Sequence, residues 1–254
     1  MGPVVSAVLA TENLCKSFGA LTVADGIDFR LEAGARHALI GPNGAGKTTF
    51  VNMLMGVLRP SSGRILLGGE DVTRMPQAAR VKRGLGRTFQ ITTLFRSLPV
   101  LDNVALAIAE RRGTAHMMWK PASSYKETIQ ESRDLLSTLG LGDDAQARVA
   151  DLPYGKQRLV EIAIALGLKP KVLLLDEPAA GVPSEETEKI LGTLEKLPRE
   201  IAILIIEHDM DLVFRFARRI TVLVQGEVLV EGTPEEIAKD QRVHQVYLGE
   251  QHHG

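Results

Sequence analysis

One stretch of the sequence combines glycines with a lysine and a threonine at a spacing that suits phosphate binding. The run from Gly41 to Thr48 follows the pattern Gly-x4-Gly-Lys-Thr. The glycines let backbone amides wrap around phosphates, and the positive end of a following helix adds to the attraction. Lys47 would supply a point charge to the terminal phosphates, and the Thr48 hydroxyl could ligand Mg²⁺. The predicted phosphate-binding residues are Gly41, Pro42, Asn43, Gly44, Ala45, Gly46, Lys47, Thr48 and Thr49.

A second candidate group is a pair of acids that ends an apolar run. Residues 172–175 are Val-Leu-Leu-Leu, and Asp176 and Glu177 follow directly. A strand that is apolar on both faces and then turns acidic places carboxylates at the edge where α/β proteins bind ligands. Asp176 would hold a metal, and Glu177 could polarise an attacking water. Alone, this pattern fits an ordinary strand end equally well, and its pairing with the phosphate loop favours the functional interpretation.

The elements around these residues alternate between strand and helix. Residues 36–40 have the pattern of a buried strand leading into the phosphate loop, and a helical pattern follows and ends near Arg59. Further buried strands are predicted at 171–175 and 201–206, separated by a helix that Ser184 could cap. Alternation of this kind predicts an α/β fold with a mostly parallel sheet.

The two ends and the middle third of the chain have different patterns. Short β-rich runs come first, at 4–9 and 26–31, whereas residues 90–168 show little strand signal. Helical stretches are predicted at 100–110 and 125–139, with a loop at 111–124. The run Thr233–Glu236 has the spacing of a capping box with proline at the first helical position. The middle third is therefore predicted to be an inserted helical subdomain.

Composition narrows the functional class. The 254 residues include 30 Lys+Arg and 31 Asp+Glu, a net charge of −1, which argues against nucleic acid as the main partner. The single cysteine, Cys15, excludes an intramolecular disulfide and fits a reducing compartment. Apolar runs such as 201–206 are far shorter than the roughly 20 residues that span a bilayer. Residues 1–15 contain no Lys or Arg, so a secretory signal is not expected.

The first six residues also match the loose pattern for N-myristoylation, Met-Gly-x-x-x-Ser. Pro3 directly after the glycine favours a chance match. These features together predict a soluble, intracellular chain.

Several motifs, taken in their order and spacing, resemble those of ATP-binding-cassette (ABC) ATPases over nearly the whole chain. Besides the phosphate loop and the Asp-Glu pair, they are Gln90, the stretch 152–158 and His208. The resemblance implies a P-loop (RecA-like) core, an N-terminal antiparallel β subdomain and an inserted α-helical subdomain. It implies a nucleotide-binding core at 1–89 and 169–254, a helical insertion at 90–168, and ATP and Mg²⁺ as ligands.

The same resemblance implies roles for individual residues. Gln90 resembles the Q-loop glutamine, which contacts Mg²⁺ or the water, and His208 resembles the switch histidine that contacts the γ-phosphate. Phe18 resembles the aromatic on which adenine stacks, with a core role as the alternative. The expected catalytic residues are Glu177, His208, Gln90 and Lys47, and the expected metal ligands are Thr48, Gln90 and Asp176.

The signature motif departs from its usual form, Leu-Ser-Gly-Gly-Gln. Here it consists of Leu152, Pro153, Tyr154, Gly155 and Lys156, and a helix is predicted after it at 159–168. In the family this motif binds the γ-phosphate held by the other subunit. Pro153 lacks the serine hydroxyl and Lys156 adds a charge, so the motif is either a tolerated variant or a weakened half-site in trans. Pro183 stands where many relatives carry the D-loop aspartate.

The function implied by the resemblance is that of an ATPase subunit of an importer for branched-chain or related amino acids. Its implied partners are a second ATPase chain, equal or different, transmembrane permease subunits and, indirectly, a periplasmic or extracellular solute-binding protein. The implied location is the cytoplasmic face of the membrane. Alternatives are another small polar solute, a non-transport ABC ATPase, or a subunit that binds ATP without hydrolysing it. A regulatory GTPase would need an Asn-Lys-x-Asp motif, which the sequence lacks.

Overall fold

Residues 7–88, 94–114 and 125–249 are described by a computed structural model of the chain. They fall into two units. The first unit lies within Met1–Leu85, Lys171–Glu177 and Pro198–Gly254, and the second within Gly86–Pro170 and Pro178–Leu197. The functional division at 1–89, 90–168 and 169–254 expected from the sequence stays a prediction.

The secondary structure follows the alternation expected from the sequence. The strands are β1 (Ala7–Phe18), β2 (Leu21–Glu32), β3 (Arg36–Ile40), β4 (Ser62–Leu67), β5 (Glu70–Asp71), β6 (Leu85–Arg87), β7 (Val172–Asp176), β8 (Ala202–Ile206), β9 (Arg219–Val224) and β10 (Glu227–Gly232). The helices are α1 (Lys47–Met55), α2 (Gln77–Lys82), α3 (Val100–Arg111), α4 (Lys126–Thr138), α5 (Tyr154–Gly167), α6 (Ser184–Glu195), α7 (Met210–Phe216), α8 (Pro234–Ile237) and α9 (Gln241–Gly249).

A mostly parallel sheet forms the base of the first unit. Its strand order is β10-β9-β3-β8-β7-β6. β3 is parallel to β8 and β9, β7 is parallel to β8, and β10 is antiparallel to β9. All five residues of β8 are buried, as expected for a strand covered on both faces. The prediction of a mostly parallel sheet is confirmed.

An antiparallel sheet of order β2-β1-β4-β5 forms the second layer of this unit. Apolar side chains from this sheet, from the parallel sheet and from α1 join one core. Phe29 of β2 packs edge-on against Phe50 of α1, with ring centroids 5.6 Å apart. The predicted N-terminal antiparallel β subdomain is confirmed, and α1 packs into the core that the two sheets share.

The far end of α1 is held by a buried arginine. The helix ends at Met55 rather than near Arg59, because Gly56 takes a left-handed conformation at φ +76°. Arg80 of α2, 1% exposed, donates to the carbonyls of Met53 and Leu54 in the last turn. It also donates to the carbonyl oxygens of Met75 at 3.0 Å and Thr73 at 3.0 Å. A cation at this end also complements the helix dipole.

The second unit consists mainly of α3, α4, α5 and α6. α5 packs against α3, α4 and α6. A Cβ on Gly167 would lie 3.2 Å from Ile108 of α3, so glycine permits the close approach of these helices. The predicted helical character of this region is confirmed.

Two details of this unit correct the expectations from sequence. α5 begins at Tyr154, not Leu159, so the signature residues from Tyr154 onward form its first turn. Pro183 rather than Ser184 stands at the N-cap of α6, with no side-chain cap, because Pro183 takes an extended backbone and Ser184 is already helical. Among the described residues, no helix is long and apolar enough to cross a membrane.

Candidate nucleotide-binding site

The phosphate loop connects β3 to α1 and takes a backbone path that excludes side chains at two glycines. Gly41 has φ +152° and Gly46 has φ +99°. A Cβ on Gly41 would lie 2.1 Å from the Leu223 carbonyl oxygen, and one on Gly46 would lie 2.5 Å from that of Val23. These contacts are far inside the van der Waals limit. The loop therefore depends on glycine at both positions.

The start of α1 is open to an anion. Gly46 is the N-cap residue and supplies no side-chain acceptor to the first turn, so the first-turn amides are not capped by a side chain. The Lys47 ammonium donates to the carbonyl oxygens of Gly41 at 2.6 Å and Pro42 at 2.9 Å. Asn43 and Gly44 are exposed on the loop, and Thr48 is exposed in the first turn of α1. Uncapped amides and a cation thus occur together, as phosphate binding requires.

Strand register brings the acidic pair to the same edge as the loop. Asp176 of β7 pairs with Ile206 of β8, and Ile206 pairs with Leu39 of β3. The phosphate loop starts two residues after Leu39. The carboxyl ends of these parallel strands therefore assemble one site from segments far apart in sequence.

Glu177 is held in a strained backbone conformation beside His208. Its φ is +46°, a left-handed value that is uncommon for a residue other than glycine. Its amide donates to the Ile206 carbonyl oxygen at 2.9 Å. One carboxylate oxygen lies 3.6 Å from Nδ1 of His208. The side chains of Glu177 and His208 are 47% and 66% exposed. The strained turn thus directs a carboxylate into the site.

Glu207 is a site residue to which the sequence interpretation gave no role. It follows β8 directly, and its side chain is only 1% exposed. One carboxylate oxygen accepts from the His208 amide at 3.1 Å and lies 3.8 Å from its Nδ1. Asp209 then caps α7 by accepting from the amide of Asp211 at 3.0 Å. Glu207 therefore holds the His208 amide, and Asp209 fixes the start of the helix that follows. The signal available in the sequence was an acid directly after a buried strand.

Phe18 lies at the surface, and the core alternative is therefore wrong. The residue ends β1 and is 52% exposed. The Lys16 ammonium stands 4.8 Å from the centroid of its ring, a cation–π contact. An aromatic face with a neighbouring cation is available here. Gln90 lies outside the described residues, and its assignment stays a prediction.

The signature motif lies in the second unit at the start of α5. Pro153 is the N-cap residue and makes no side-chain hydrogen bond to the first turn. The Gln157 side chain donates to the Leu152 carbonyl oxygen at 2.8 Å and so fixes the backbone just before α5. The Lys156 ammonium binds both carboxylate oxygens of Asp144, at 2.9 and 2.7 Å. The charge that Lys156 adds to the motif is therefore neutralised within the chain.

A carboxylate from α6 occupies the first turn of α5. The Gly155 amide donates to Oε2 of Glu186 at 2.9 Å. A Cβ on Gly155 would lie 2.3 Å from the same oxygen. Glycine is therefore required for this approach, and the carboxylate provides the acceptor that Pro153 lacks.

One turn further along α5 lies a buried ion pair. Arg158 donates to Glu161 at 3.0 Å, and their side chains are 11% and 3% exposed. Burial raises the pKa of Glu161 to about 7, against the lowering effect of Arg158. Nε of Arg158 and Oε1 of Glu161 are buried and have no hydrogen-bond partner. The Arg158 guanidinium also stands 5.4 Å from the centroid of the Tyr154 ring, which links the pair to the signature.

Comparison with known proteins identifies the family. Residues 24–180 match the family model for the ABC transporter, and residues 227–253 match that for the branched-chain amino acid ATP-binding cassette transporter. The high-affinity branched-chain amino acid transport ATP-binding proteins BraF of Pseudomonas aeruginosa and LivG of Escherichia coli are each 36% identical. These matches cover 96% of this chain and 98% of each relative.

Two further relatives extend the comparison. The lipopolysaccharide export system ATP-binding protein LptB of Acidithiobacillus ferridurans is also 36% identical, over 97% of this chain and 99% of that protein. The crystal structure of the ADP conformation of MJ1267, an ATP-binding cassette of an ABC transporter, matches with a TM-score of 0.84. It is 30% identical over 96% of this chain and 99% of that one. The chain therefore belongs to the ABC transporter family, as one of its ATP-binding and ATP-hydrolysing subunits.

Proposed function

We propose that this chain powers an importer of branched-chain or related amino acids by hydrolysing ATP at the edge of its parallel sheet. The observation that carries the proposal is the strand register that unites the phosphate loop with Asp176, Glu177 and His208. Amides and a lysine suit the phosphates, and a carboxylate suits the attacking water. Phe18, exposed beside Lys16, would stack on adenine.

Each side chain has a role that follows from its chemistry. Lys47 and the first-turn amides of α1 would hold the terminal phosphates and balance charge as it shifts toward the leaving oxygen. Glu177 would orient the water and accept its proton, and His208, with its backbone fixed by Glu207, would contact the γ-phosphate. Gln90, which lies outside the described residues, would complete this set of catalytic side chains.

Mg²⁺ fits the donors at this edge. Asp176 ends β7, and Thr48 is an exposed hydroxyl in the first turn of α1. Mg²⁺ in nucleotide sites is commonly held by one or two carboxylates together with substrate phosphates, so a larger acidic cluster is not required. Asp176, Thr48 and Gln90 would hold the ion, which neutralises phosphate charge when bound.

The complete site would need two cassettes. Leu152, Pro153, Tyr154, Gly155 and Lys156 would contact the ATP of a second ATPase subunit, identical or different. The dimeric structure of MJ0796, a bacterial ABC transporter cassette that is 25% identical to this chain, supports such an assembly. Separate permease subunits would carry the solute and hold the chain at the cytoplasmic face of the membrane, and a solute-binding protein would deliver it.

The substrate class is supported by the C-terminal match rather than by overall identity. BraF, LivG and LptB are equally similar to the chain, at 36%. The family model over residues 227–253 carries the same branched-chain amino acid description as BraF and LivG and so favours them over LptB. Lipopolysaccharide export is therefore the competing candidate, and an importer of another small polar solute is a weaker one.

Glu177→Gln tests the catalytic part of the proposal. We expect turnover to fall at least about 100-fold, since the general base is lost, with ATP affinity within about twofold of the original. Steady-state ATPase rates and calorimetric titration with ATP measure the two quantities. Glu200→Gln, which changes an exposed acid of the same unit, should leave both unchanged. Turnover of Glu177→Gln equal to that of the unsubstituted chain would contradict the role of Glu177.

Uptake measurements test the transport part. Cells in which this chain carries Glu177→Gln should lose ATP-dependent uptake of leucine, isoleucine and valine but not of an unrelated sugar. Purification of the chain from membranes should also recover permease subunits and any second ATPase chain. Normal amino-acid uptake together with defective lipopolysaccharide export would favour the competing candidate.

A further inference from the structure

The amide that the signature would offer to a partner's ATP is already engaged within the chain. Gly155 is the second residue of α5, and its amide has no acceptor inside the helix. Oε2 of Glu186 accepts from it at 2.9 Å. Both residues belong to the second unit.

We propose that Glu186 is an autoinhibitory ligand of the signature motif, which the γ-phosphate of a partner's ATP must displace. This inference rests on the proposed role of the signature in trans. A carboxylate and a phosphate are both anions that a helix N-terminus attracts. With a carboxylate on the Gly155 amide, an incoming phosphate would lose that donor and meet a like charge.

The neighbouring residues favour competition over cooperation. Pro153 cannot cap the turn, so Glu186 is the side chain that satisfies it. Lys156 is the cation of the motif, yet its ammonium is bound to both oxygens of Asp144. Glu185, adjacent on α6, adds another negative charge nearby in the sequence. The first turn of α5 is therefore expected to bind one anion favourably but not two at once.

The contact can also be released without unfolding. Glu186 is in the first turn of α6, where an acid is favourable even without a partner. Its side chain can rotate away from the Gly155 amide while α6 stays intact. The expected consequence is a higher ATP concentration for assembly of two cassettes, set by the strength of one charge-assisted hydrogen bond.

The test uses ATP-dependent self-association of the Glu177→Gln chain, in which hydrolysis does not reverse assembly. Glu186→Gln is added to this background, because it removes the charge but keeps an acceptor for the Gly155 amide. Glu186→Ala removes both, and Glu185→Gln is the matched control for charge on the same exposed turn. Sedimentation velocity over a range of ATP concentrations gives the midpoint of dimer formation, and thermal unfolding confirms that each variant folds.

We expect Glu186→Gln and Glu186→Ala to lower the ATP midpoint about threefold to tenfold, with Glu185→Gln changing it less than twofold. Dimer formation only in the Glu186 variants would support the inference more strongly. An unchanged or higher midpoint in folded Glu186 variants overturns it while the proposed function stands. If every variant binds ATP yet none dimerises, either with itself or with a second ATPase chain recovered from membranes, the proposed composite site is wrong, and the inference falls with it.

Discussion

Helices α1 and α5 both begin at a position suited to phosphate, but they are prepared for it in opposite ways. α1 starts after Gly46 with no side-chain cap, and Lys47 lies over the loop carbonyls. α5 starts after Pro153, with its Gly155 amide bound to a carboxylate and its lysine bound to Asp144. The start of α1 is therefore available to an external anion, whereas the start of α5 already binds the carboxylate of Glu186.

The buried charged groups at the two helices also differ in how completely they are hydrogen-bonded. At the end of α1, all three nitrogens of the Arg80 guanidinium donate to main-chain carbonyls. Within α5, the Arg158–Glu161 pair leaves a buried nitrogen and a buried oxygen without partners. Fully satisfied buried polar groups rigidify a structure, whereas unsatisfied ones carry a desolvation cost. The comparison indicates that α1 is a fixed platform, whereas α5 contains a buried ion pair that is only partly satisfied.

The largest expected effect concerns the platform. Arg80→Met should lower the free energy of unfolding by about 3 kcal/mol, because buried carbonyls at the end of α1 lose their donor. Arg83→Met, at the end of the same helix α2, removes an exposed pair with Glu70 and should cost less than about 1 kcal/mol. Urea unfolding measures both. Equal costs would show that α1 is not held by this clamp.

The next prediction compares the effects of removing Lys47 and Lys156 on ATP affinity. Lys47→Ala should weaken ATP binding about tenfold to a hundredfold, since a charge-assisted hydrogen bond to phosphate is worth about 1.5–3 kcal/mol. Lys156→Ala should change the affinity of the same chain for ATP less than twofold, because this lysine lies in the signature and binds Asp144. Calorimetry on the two variants gives the affinities. A comparable loss in both would erase the distinction between the two helix starts.

The buried pair in α5 should appear in the pH dependence of stability. The folded-state pKa of Glu161 is raised to about 7, so stability falls as pH rises from the ordinary pKa of Glu through about 7 and levels off above that value. Glu161→Gln should remove about 1–3 kcal/mol of the decline between pH 5 and pH 8.

Glu131→Gln is the matched control for this prediction. Arg111 and neighbouring cations lower the pKa of Glu131 to about 2, so its stabilising contribution is lost only in acid and has no slope in that pH window. Denaturant unfolding at several pH values measures the decline. An identical slope in Glu161→Gln and the unsubstituted chain would place the charged form of Glu161 in a solvated environment.

The smallest effect addresses the two interpretations of Pro153. Pro153→Ser should raise turnover at the partner's site by up to about tenfold, as a hydroxyl bond to phosphate is gained and a favourable proline is lost. ATPase rates are compared in mixtures with a partner whose catalytic glutamate is intact or disabled. The gain should vanish in the second mixture. An equal gain in both would mean that the substitution acts on this chain's own stability.

Short sequence patterns correctly predicted features that depend on residues close together in the chain. The spacing of Gly41 and Gly46 predicted a loop whose backbone requires glycine, and the spacing at Thr233 predicted a capping box that closes within four residues. Ser184 was wrongly predicted as a cap, since the preceding Pro183 has the extended conformation that a cap requires. Likewise, the end of α1 depends on the left-handed Gly56, which outweighs the helical pattern beyond it.

The contacts that the sequence did not reveal join residues far apart in the chain. Glu186 meets Gly155 across 31 positions, and Arg80 meets Met53 across 27. No periodicity or short motif encodes such pairs, because they depend on which helices pack together. Glu207 was nearer to being predictable, since its type and its place after β8 already resembled those of Glu177.

The left-handed backbone at Glu177 limits how this position can change in evolution. At φ +46°, residues branched at Cβ are strongly disfavoured, while glycine, asparagine and unbranched side chains are tolerated. Gene duplicates that lose hydrolysis here are therefore expected to carry Gln, Asn, Asp or Gly rather than Val, Ile or Thr. Such copies would keep the turn after β7 and fold normally, so a silent cassette could persist beside an active one.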